Sequence, residues 1–450
     1  MKNISKIYHI MKARIKKNHF LYVVAVALLF LLFAFINLMA TASTLPPDEA
    51  IGAVSADTVK YRAFTGKVID NETKEPVVFA SIYLEGSNVG TVTNSDGEFL
   101  LKIPLATKGV KICISHLSYK NLFIDTEQMD KEKNLIYLEP VKIPIQEVTI
   151  RSTDPQEIIY MALRKRTDNY SRNPVMLTSF YRETIKQNRN YVAVSEAVLD
   201  IYKSPYVQTL EADRSRIYKG RKSQDVKKMD TVFFKLQGGP YNALMLDVVK
   251  NPGEVLSEEY INLYDYSFSG INYIDDRETY VIDFKQKSYV TDPLYKGKIY
   301  IDAENLAFTG IDFNLNINDP QLVNAMFIRK KPAGMKVDVL GANYLTKYRL
   351  IDNTWYLNYV RLEASFKCKW EKKLFNSVYS TMTEMAVTDM DLDSITRFKY
   401  KESAKISDVL AEQVNQFEDP EFWGEYNIIK PDESIQAAIE KISRKLKKRL

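Results

Sequence analysis

Between Gly66 and Pro104 the chain reads GKVIDNETKEPVVFASIYLEGSNVGTVTNSDGEFLLKIP, and alternation broken by turn residues confines this stretch to short β-strands. Ala80, Ile82 and Leu84 alternate with Ser81, Tyr83 and Glu85, the period of a half-buried strand. Phe99, Leu101 and Ile103 repeat it. Glu75-Pro76 turns the chain, because Pro fixes φ and pushes the residue before it out of the helical region. Gly86 and Gly90 suit a tight connection, and Asn94-Ser95-Asp96-Gly97 supplies residues that tolerate positive φ in a hairpin. The pattern fits the physics of a sandwich.

These residues, with Ile112, Ile114 and residues 115–119 and 145–150 as later strands, resemble the carboxypeptidase regulatory-like domain. That family is a small prealbumin-type β-sandwich of Gram-negative envelope proteins, present at the N-terminus of many TonB-dependent outer-membrane transporters. Its motif positions fall here on Gly66, Pro76, Gly86, Gly90, Asp96 and Gly97. The resemblance implies an envelope compartment and a first domain without catalytic function or cofactor; it names no ligand. In transporters a plug and a large barrel follow, but the remaining chain lacks the many ~10-residue amphipathic strands of a pore.

The N-terminus points to the same compartment independently. Lys2, Lys6, Lys12, Arg14, Lys16 and Lys17 precede an apolar run from Phe20 to Ile36, followed by Ala40-Thr41-Ala42-Ser43 as an A-x-A-like cleavage site. Residues 1–42 read as an export signal cut at Ala40, Ala42 and Ser43, with Met11 as a second possible start. The alternative is an uncleaved inner-membrane anchor over residues 20–38, because the run approaches the ~20 residues that span a bilayer. In both readings the basic flank stays cytoplasmic and the rest is periplasmic. No Cys lies near the cut, so no lipid anchor is expected. Six of the 62 basic residues precede Ser43, which leaves 56 against 57 acidic ones. The exported part is therefore near neutral, and bulk charge gives no case for nucleic acid.

Residues 43–60 read as a linker, 61–150 as the sandwich and 151–450 as a second, larger domain. Asp154-Pro155-Gln156-Glu157 carries an N-cap, a Pro at the first helical position and an acid, the start signal of a helix. Beyond it most of the chain is strand. Met176 to Gln187 and Tyr191 to Lys203 flank a hairpin at Asn188-Arg189-Asn190. Ile311, Phe313, Leu315 and Ile317 alternate with polar residues, as do Leu362, Ala364, Phe366, Cys368 and Trp370. Such alternation describes an antiparallel sheet with one apolar and one wet face. Short helices are expected near residues 241–250 and 321–328, and an amphipathic one over 432–450 with acids first and Lys/Arg last. The fold class is mainly β: a small prealbumin-like sandwich followed by a larger, curved antiparallel, half-barrel-like sheet with a few packing helices. Gly297-Lys298-Ile299-Tyr300-Ile301-Asp302, Leu306-Ala307-Phe308 and the strand from Ile311 resemble the repeating hairpin of LolA-like folds. Those are incomplete barrels whose concave side holds lipid or lipoprotein acyl chains.

Catalytic chemistry is limited by composition. Of three histidines, His9 and His19 lie in or before the targeting segment, leaving His116. One His and the distant Cys113 and Cys368 do not build a catalytic zinc site. No Gly-x-Ser-x-Gly elbow, GxGxxG or Walker loop is present. Asp389, Asp391 and Asp393 have the opening spacing of a calcium loop, but Ser394 stands at the turn Gly and Tyr400 at the bidentate Glu, which favours a solvated strand end. The expectation is no catalytic residue, no metal and no cofactor. Two binding features stand out. Phe313, Phe366 and Trp370 form an aromatic stripe that lines an apolar groove or is sheet core. Lys441, Arg444, Lys445, Lys447, Lys448 and Arg449 touch anionic lipid or form a solvated helix face, with Ile435, Ala438, Ile439, Ile442 and Leu446 docked on the sheet. The leading reading is an exported non-catalytic envelope protein with a docking or structural role toward a protein partner. Its alternative is a periplasmic carrier of a lipid or other apolar ligand. A hydrolase ranks third.

Overall fold

Alternation drives seven short strands into two facing sheets: β1 (Tyr61–Asp70), β2 (Ser81–Leu84), β3 (Gly90–Val92), β4 (Glu98–Pro104), β5 (Lys111–Ser115), β6 (Leu122–Asp125) and β7 (Asn134–Leu138). Their orders are β4-β1-β7 and β3-β2-β5-β6. Phe64, Val68, Phe99, Leu101, Ile103 and Ile136 of one sheet meet Ile82, Leu84, Ile112 and Ile114 of the other. The computed structural model describes residues 61–116, 119–141, 154–207, 211–224, 238–274, 277–327, 333–371, 374–416 and 422–447. Thr58–Leu450 is one compact unit, so sandwich and large sheet belong together; Met1–Asp57 lies outside the described residues.

One local expectation is corrected. The turn at Asn94-Ser95-Asp96-Gly97 does not close a hairpin, because β3 and β4 lie in different sheets; it is the corner where the chain changes layer. Asn94 Oδ1 accepts from the Asp96 and Glu98 amides at 2.9 and 2.8 Å. Such an Asx-type closure forms equally well at a corner, and alternation on either side does not say which strands pair. Gly97 sits at φ +73°, where a Cβ would lie 2.6 Å from the Val68 carbonyl oxygen.

The second layer begins with α1 (Pro155–Arg164), where the Asp154 carboxylate accepts from the Gln156 amide, and α2 (Arg166–Asn169). A cap of this kind contributes about 1 kcal/mol. Long strands follow: β8 (Val175–Gln187), β9 (Asn190–Lys203) and β10 (Arg214–Gln224). Short helices α3 (Gly239–Met245), α4 (Gly253–Leu256) and α5 (Glu258–Ile261) precede β11 (Tyr264–Ile274), β12 (Arg277–Gln286), β13 (Tyr295–Asp302) and β14 (Phe308–Leu315). Then come α6 (Pro320–Phe327), β15 (Met335–Ile351), β16 (Thr354–Trp370) and β17 (Ser377–Asp391). The chain ends with α7 (Leu410–Gln413), β18 (Asn415–Gln416) and α8 (Glu433–Lys447).

β8 to β18 form one sheet in the order β11-β12-β13-β14-β15-β16-β17-β8-β9-β10-β18, antiparallel except for the short β10–β18 pair. Edge strands β11 and β18 do not pair, so the sheet stays open. Side-chain alternation gives its two faces different covers. Tyr181, Leu199, Ile299, Ile311 and Val360 pack with Ile158 and Ile159 of α1, Ala243 and Leu244 of α3 and Leu256 of α4. On the opposite face Phe180, Val198, Tyr359 and Ala386 meet Val92, Phe79 and Leu100 of the sandwich together with Trp423, Ile428 and Ile429. The architecture is thus three layers: helices, large sheet, then sandwich and C-terminal segment.

Candidate functional site

The face between large sheet and sandwich carries a row of charges fixed by strand register. Arg361 of β16 lies opposite Glu384 of β17, Glu384 opposite Arg182 of β8, Arg182 opposite Glu196 of β9, and Glu196 opposite Arg221 of β10. Arg182 Nε donates to Glu196 at 2.8 Å, Nη1 to Glu384 at 3.1 Å and Nη2 to the Ile429 carbonyl at 2.6 Å. Arg361 Nη1 and the Tyr359 hydroxyl each donate to Glu384 Oε2 at 3.0 Å, and Arg221 Nε donates to Glu196 at 3.2 Å. Arg182, Glu196 and Glu384 are all buried. Aromatic faces complete the cover: Phe79 over Arg361 at 4.5 Å, Phe180 over Arg182 at 5.1 Å and Trp423 over Arg221 at 4.7 Å. Arg361 Nε also donates to Glu363 at 3.0 Å, so three carboxylates stand against three guanidiniums, and the Ile429 carbonyl takes the remaining Arg182 donor.

The sandwich is tied to this face along its length. Asn427 bonds both backbone groups of Lys102, accepting from its amide at 2.7 Å and donating to its carbonyl at 2.9 Å. Thr91 Oγ1 donates to the Ile428 carbonyl at 2.9 Å, and Lys347 Nζ to the Phe79 carbonyl at 2.9 Å. Asn358 donates to Ser81 Oγ at 3.0 Å, while Asn88 donates to the Met390 carbonyl at 3.1 Å. Among the motif residues, Asp96 accepts from the Glu433 amide at 2.8 Å at the start of α8. Gly90 is buried, and a Cβ there would stand 3.5 Å from Arg349. Gly66 backs onto Phe99, Gly86 turns at φ +67°, and Pro76 bridges Ile69.

A second buried cluster lies at the far end of β9. Lys203 contacts Asp213 and Asp247, each at 2.5 Å; Lys250 contacts Asp213 at 2.6 Å and donates to the Ser204 carbonyl at 2.6 Å. Tyr206 and Tyr348 donate to Asp247 at 2.6 and 2.7 Å. Burial by itself lowers the Lys203 pKa, but Asp213 and Asp247 outweigh it and hold the ammonium charged. Burial raises Asp213, yet Lys203 and Lys250 bring it below the usual carboxylate range. Lys250 is lowered by burial and by Lys203. Each charge is matched inside a packed end, the arrangement of a tie between the loop after α3 and the sheet.

Two further acidic places differ. Glu183 is buried with one hydrogen bond among the described residues, from the Tyr181 hydroxyl at 3.1 Å, and burial pushes its pKa up to about 8. A Cβ at Gly239 would stand 3.8 Å from its carboxylate. An open cleft of about 290 Å³ is lined by Met176, Thr178, Asp200, Arg216, Asp389 and Phe398 among others. There Arg216 pairs with Asp200 at 2.9 Å, and Asp391 accepts from the Asp393 and Ser394 amides at 2.8 and 2.9 Å. The Asp389-Asp391-Asp393 run is therefore a strand end closed by an Asx turn. Among the described residues no three His, Cys, Asp or Glu side chains converge as metal ligands.

The aromatic stripe is divided by the structure. Phe313 lies in the main helix-side core, stacked on Tyr344 at 4.8 Å with Tyr295 edge-on at 5.2 Å. Phe366 is buried in a separate cluster with Leu315, Val323, Val337 and Cys368, against which Trp370 packs half-buried. Their facing side chains are the protein's own. Cys113 and Cys368 are both buried and unbridged. His116 sits edge-on to Tyr119 at 5.3 Å. Ile435 and Ile439 of α8 pack on Val194, Tyr191 and Met382, with Lys441 and Arg444 exposed. Ala40, Ala42, Ser43, the apolar run at 20–36 and the segment 145–150 lie outside the described residues. No helix among the described residues is long and apolar enough to cross a membrane.

None of the five residues of the charge row was singled out from sequence. The signal was available in part: a hairpin about Asn188-Arg189-Asn190 puts Arg182 opposite Glu196. Comparison with known proteins gives the following. Residues 64–150 match the family model of the CarboxypepD_reg-like domain. No curated protein matches the chain. Among solved structures, a DUF1329 family protein from Desulfovibrio piger is similar at 13% identity and TM-score 0.24, covering 55% of this chain and 99% of its own. A domain from Vibrio parahaemolyticus named for outer membrane lipoprotein sorting is similar at 10% identity and TM-score 0.23, over 53% and 93%. Lipovitellin follows at 10% and 0.26, over 56% and 28%. At these TM-scores the likenesses carry no argument about function.

Proposed function

We propose that this is an exported, non-catalytic protein of the Gram-negative cell envelope, in which the sandwich and the large sheet act as one rigid scaffold for an envelope protein partner. The observation that supports it is the interlock: Arg182 binds Glu196, Glu384 and the Ile429 carbonyl beneath the sandwich, and Asn427 holds Lys102. A buried ion network with its hydrogen bonds satisfied fixes one arrangement of its elements. It also leaves the sandwich a structural half of the scaffold rather than a free arm. The matched charges of the Lys203, Asp213, Asp247 and Lys250 cluster support a structural rather than catalytic use of the ionisable groups.

Export rests on the basic flank, the apolar run and Ala40-Thr41-Ala42-Ser43. A mature N-terminus at Ser43 is the expected product, and an intact Met1 or Met11 terminus in the membrane fraction would instead make residues 20–38 an anchor. Domain limits of 61–150 and 151–450 are part of the same reading.

Carriage of a lipid beneath the helices is the second reading, favoured by the apolar side chains that the large sheet turns to the helices in two clusters, one about Phe313 and one about Phe366. Native mass spectrometry of the protein purified gently from envelopes, followed by solvent extraction, separates the two. A stoichiometric lipid overturns the scaffold-only reading. An empty protein with a filled interior is the result expected.

A further inference from the structure

The open cleft lies on the same face of the large sheet as the charge row, with Thr178 on the Arg182 side of β8. Register sets its members: Arg216 of β10 opposite Asp200 of β9, Asp200 opposite Thr178, and Thr178 opposite Asp389 of β17. The sandwich reaches its border, where Asn88 donates to the Met390 carbonyl at 3.1 Å. Unlike the covered row, this one is not matched in charge. Arg216 is committed, pairing with Asp200 at 2.9 Å and lying 4.3 Å over Phe398. Asp389 and Asp391 stand two apart on one strand, hence on one face and about 7 Å from each other. Among the described residues Asp389 has one hydrogen bond, from the Met390 amide at 2.8 Å, and Asp391 is bonded by Asp393 and Ser394 of its own turn. Desolvation, with the Asp391 charge, raises the pKa of Asp389, whereas the turn amides lower that of Asp391. Arg349 offsets Asp389 only in part, since its guanidinium lies 4.8 Å over the Tyr83 ring.

The remaining lining includes Met176, Met390 and Phe398. About 290 Å³ is the small end of ligand sites, room for one long side chain. A flat ring or sugar face has no stacking partner, because Arg216 already covers Phe398. No three acidic side chains converge as metal ligands among the described residues. What fits is an organic cation with an apolar stem. Arginine has one that lies along flexible methionines, and its planar guanidinium carries enough donors to serve two carboxylates at once. We propose that the cleft receives an arginine side chain presented by the envelope protein partner, with the guanidinium on Asp389 and Asp391 and the stem on Met176 and Met390. This names the chemistry of the partner and rests on the scaffold reading for its existence.

Methyl NMR tests it, because Met176 and Met390 are reporters inside the cleft. The full chain, purified from envelopes with isotope-labelled methionine methyls, is titrated with acetyl-arginine amide; Met176→Leu and Met390→Leu identify the two resonances. Both should shift with a millimolar dissociation constant, as a probe this small allows. Acetyl-citrulline amide, neutral and nearly isosteric, should move neither. Asp389→Asn with Asp391→Asn should weaken binding about tenfold or more, and the new amide oxygens still accept from the turn amides. Should the pair misfold, Asp389→Asn alone decides. No shift with the arginine amide, an equal shift with the citrulline amide, or a shift indifferent to the Asn pair overturns the proposal and leaves the scaffold reading standing. That reading fails instead on a stoichiometric lipid. Photocrosslinking in cells from Thr396, exposed at the cleft, reads the partner. A crosslink to an arginine-bearing segment, lost in the Asn pair, is expected; no crosslink, or one that survives the pair, overturns the proposal.

Discussion

Replacing Arg182 by Ala should be among the most damaging single changes in this protein. The side chain is 1% exposed and makes three charge-assisted bonds, at 2.8 Å to Glu196, 3.1 Å to Glu384 and 2.6 Å to the Ile429 carbonyl. Breaking a buried ion pair from one side costs about 3–5 kcal/mol. Here each carboxylate keeps another partner, Glu196 with Arg221 and Glu384 with Arg361 and Tyr359, which pulls the ionic part down. The vacated volume and the Ile429 carbonyl, left without its guanidinium, pull the other way at about 1–3 kcal/mol for the unsatisfied group. About 4 kcal/mol is the expected sum. Arg182→Met fills the space and leaves Glu196 with Arg221 and Glu384 with Arg361, so it should lose roughly half as much. Arg221→Ala, at the end of the row and bonded to Glu196 from its Nε, should lose least, about 1–2 kcal/mol.

Guanidinium unfolding followed by tryptophan fluorescence reads this, since Trp423 lies 4.7 Å over Arg221 and edge-on to Phe180 at 5.4 Å. The substance of the prediction is the order of losses, largest for Arg182→Ala, then Arg182→Met, then Arg221→Ala. That order should persist in high salt, because buried pairs are poorly screened. A loss below about 1 kcal/mol for Arg182→Ala, or one equal to that of Arg221→Ala, would refute the claim that the row locks the layers.

Glu183 has a folded pKa raised from 4.5 to about 8, so the folded state holds the proton more tightly and stability falls as pH rises through that window. Glu183→Gln should flatten this limb and be the more stable protein above pH 8, by about 3–5 kcal/mol in pH-dependent unfolding. Asp213 is shifted the opposite way: its contribution is present above the ordinary carboxylate value and is lost as pH falls through the lower folded one. Asp213→Asn should accordingly shorten the acid limb of the stability curve while lowering the plateau at neutral pH. Gly66→Ala would place a Cβ 2.6 Å from the Asn134 carbonyl oxygen and 2.7 Å from Phe99, and should cost about 1–3 kcal/mol in thermal unfolding. Asn427→Ala removes both bonds to the Lys102 backbone and should hasten proteolysis of the C-terminal segment at unchanged secondary structure.

Strand identity was legible because it is local. Ile311, Phe313 and Leu315 face one way, as do Ala364, Phe366 and Cys368, and the structure buries both sets. Asp154 caps its helix for the same reason, as does Asp432, whose carboxylate accepts from the Ile435 amide at 2.7 Å. Pairing was not legible, because it depends on partners distant in sequence. β8 lies beside β17, about 200 residues away by the Arg182–Glu384 separation, and alternation cannot choose between neighbours with the same period. The Asn94 corner shows the same limit at short range.

The charge row follows from that limit. A side chain's face is set by its own strand, but whether an Arg meets a Glu is set by the stacking order of five strands, none of which is marked by a motif. By its own strand alone, Arg182 is one more outward polar residue on a half-wet sheet. The wet face was in fact taken by the sandwich, through Phe79, Val92 and Leu100, and by Trp423, Ile428 and Ile429. Once that cover is in place, outward charges have lost their water, and only register can supply their partners. The alternating signs across β16, β17, β8, β9 and β10 are therefore a consequence of docking. A sandwich that visited this face only transiently would leave those groups hydrated, with no need for each Arg to stand opposite a Glu.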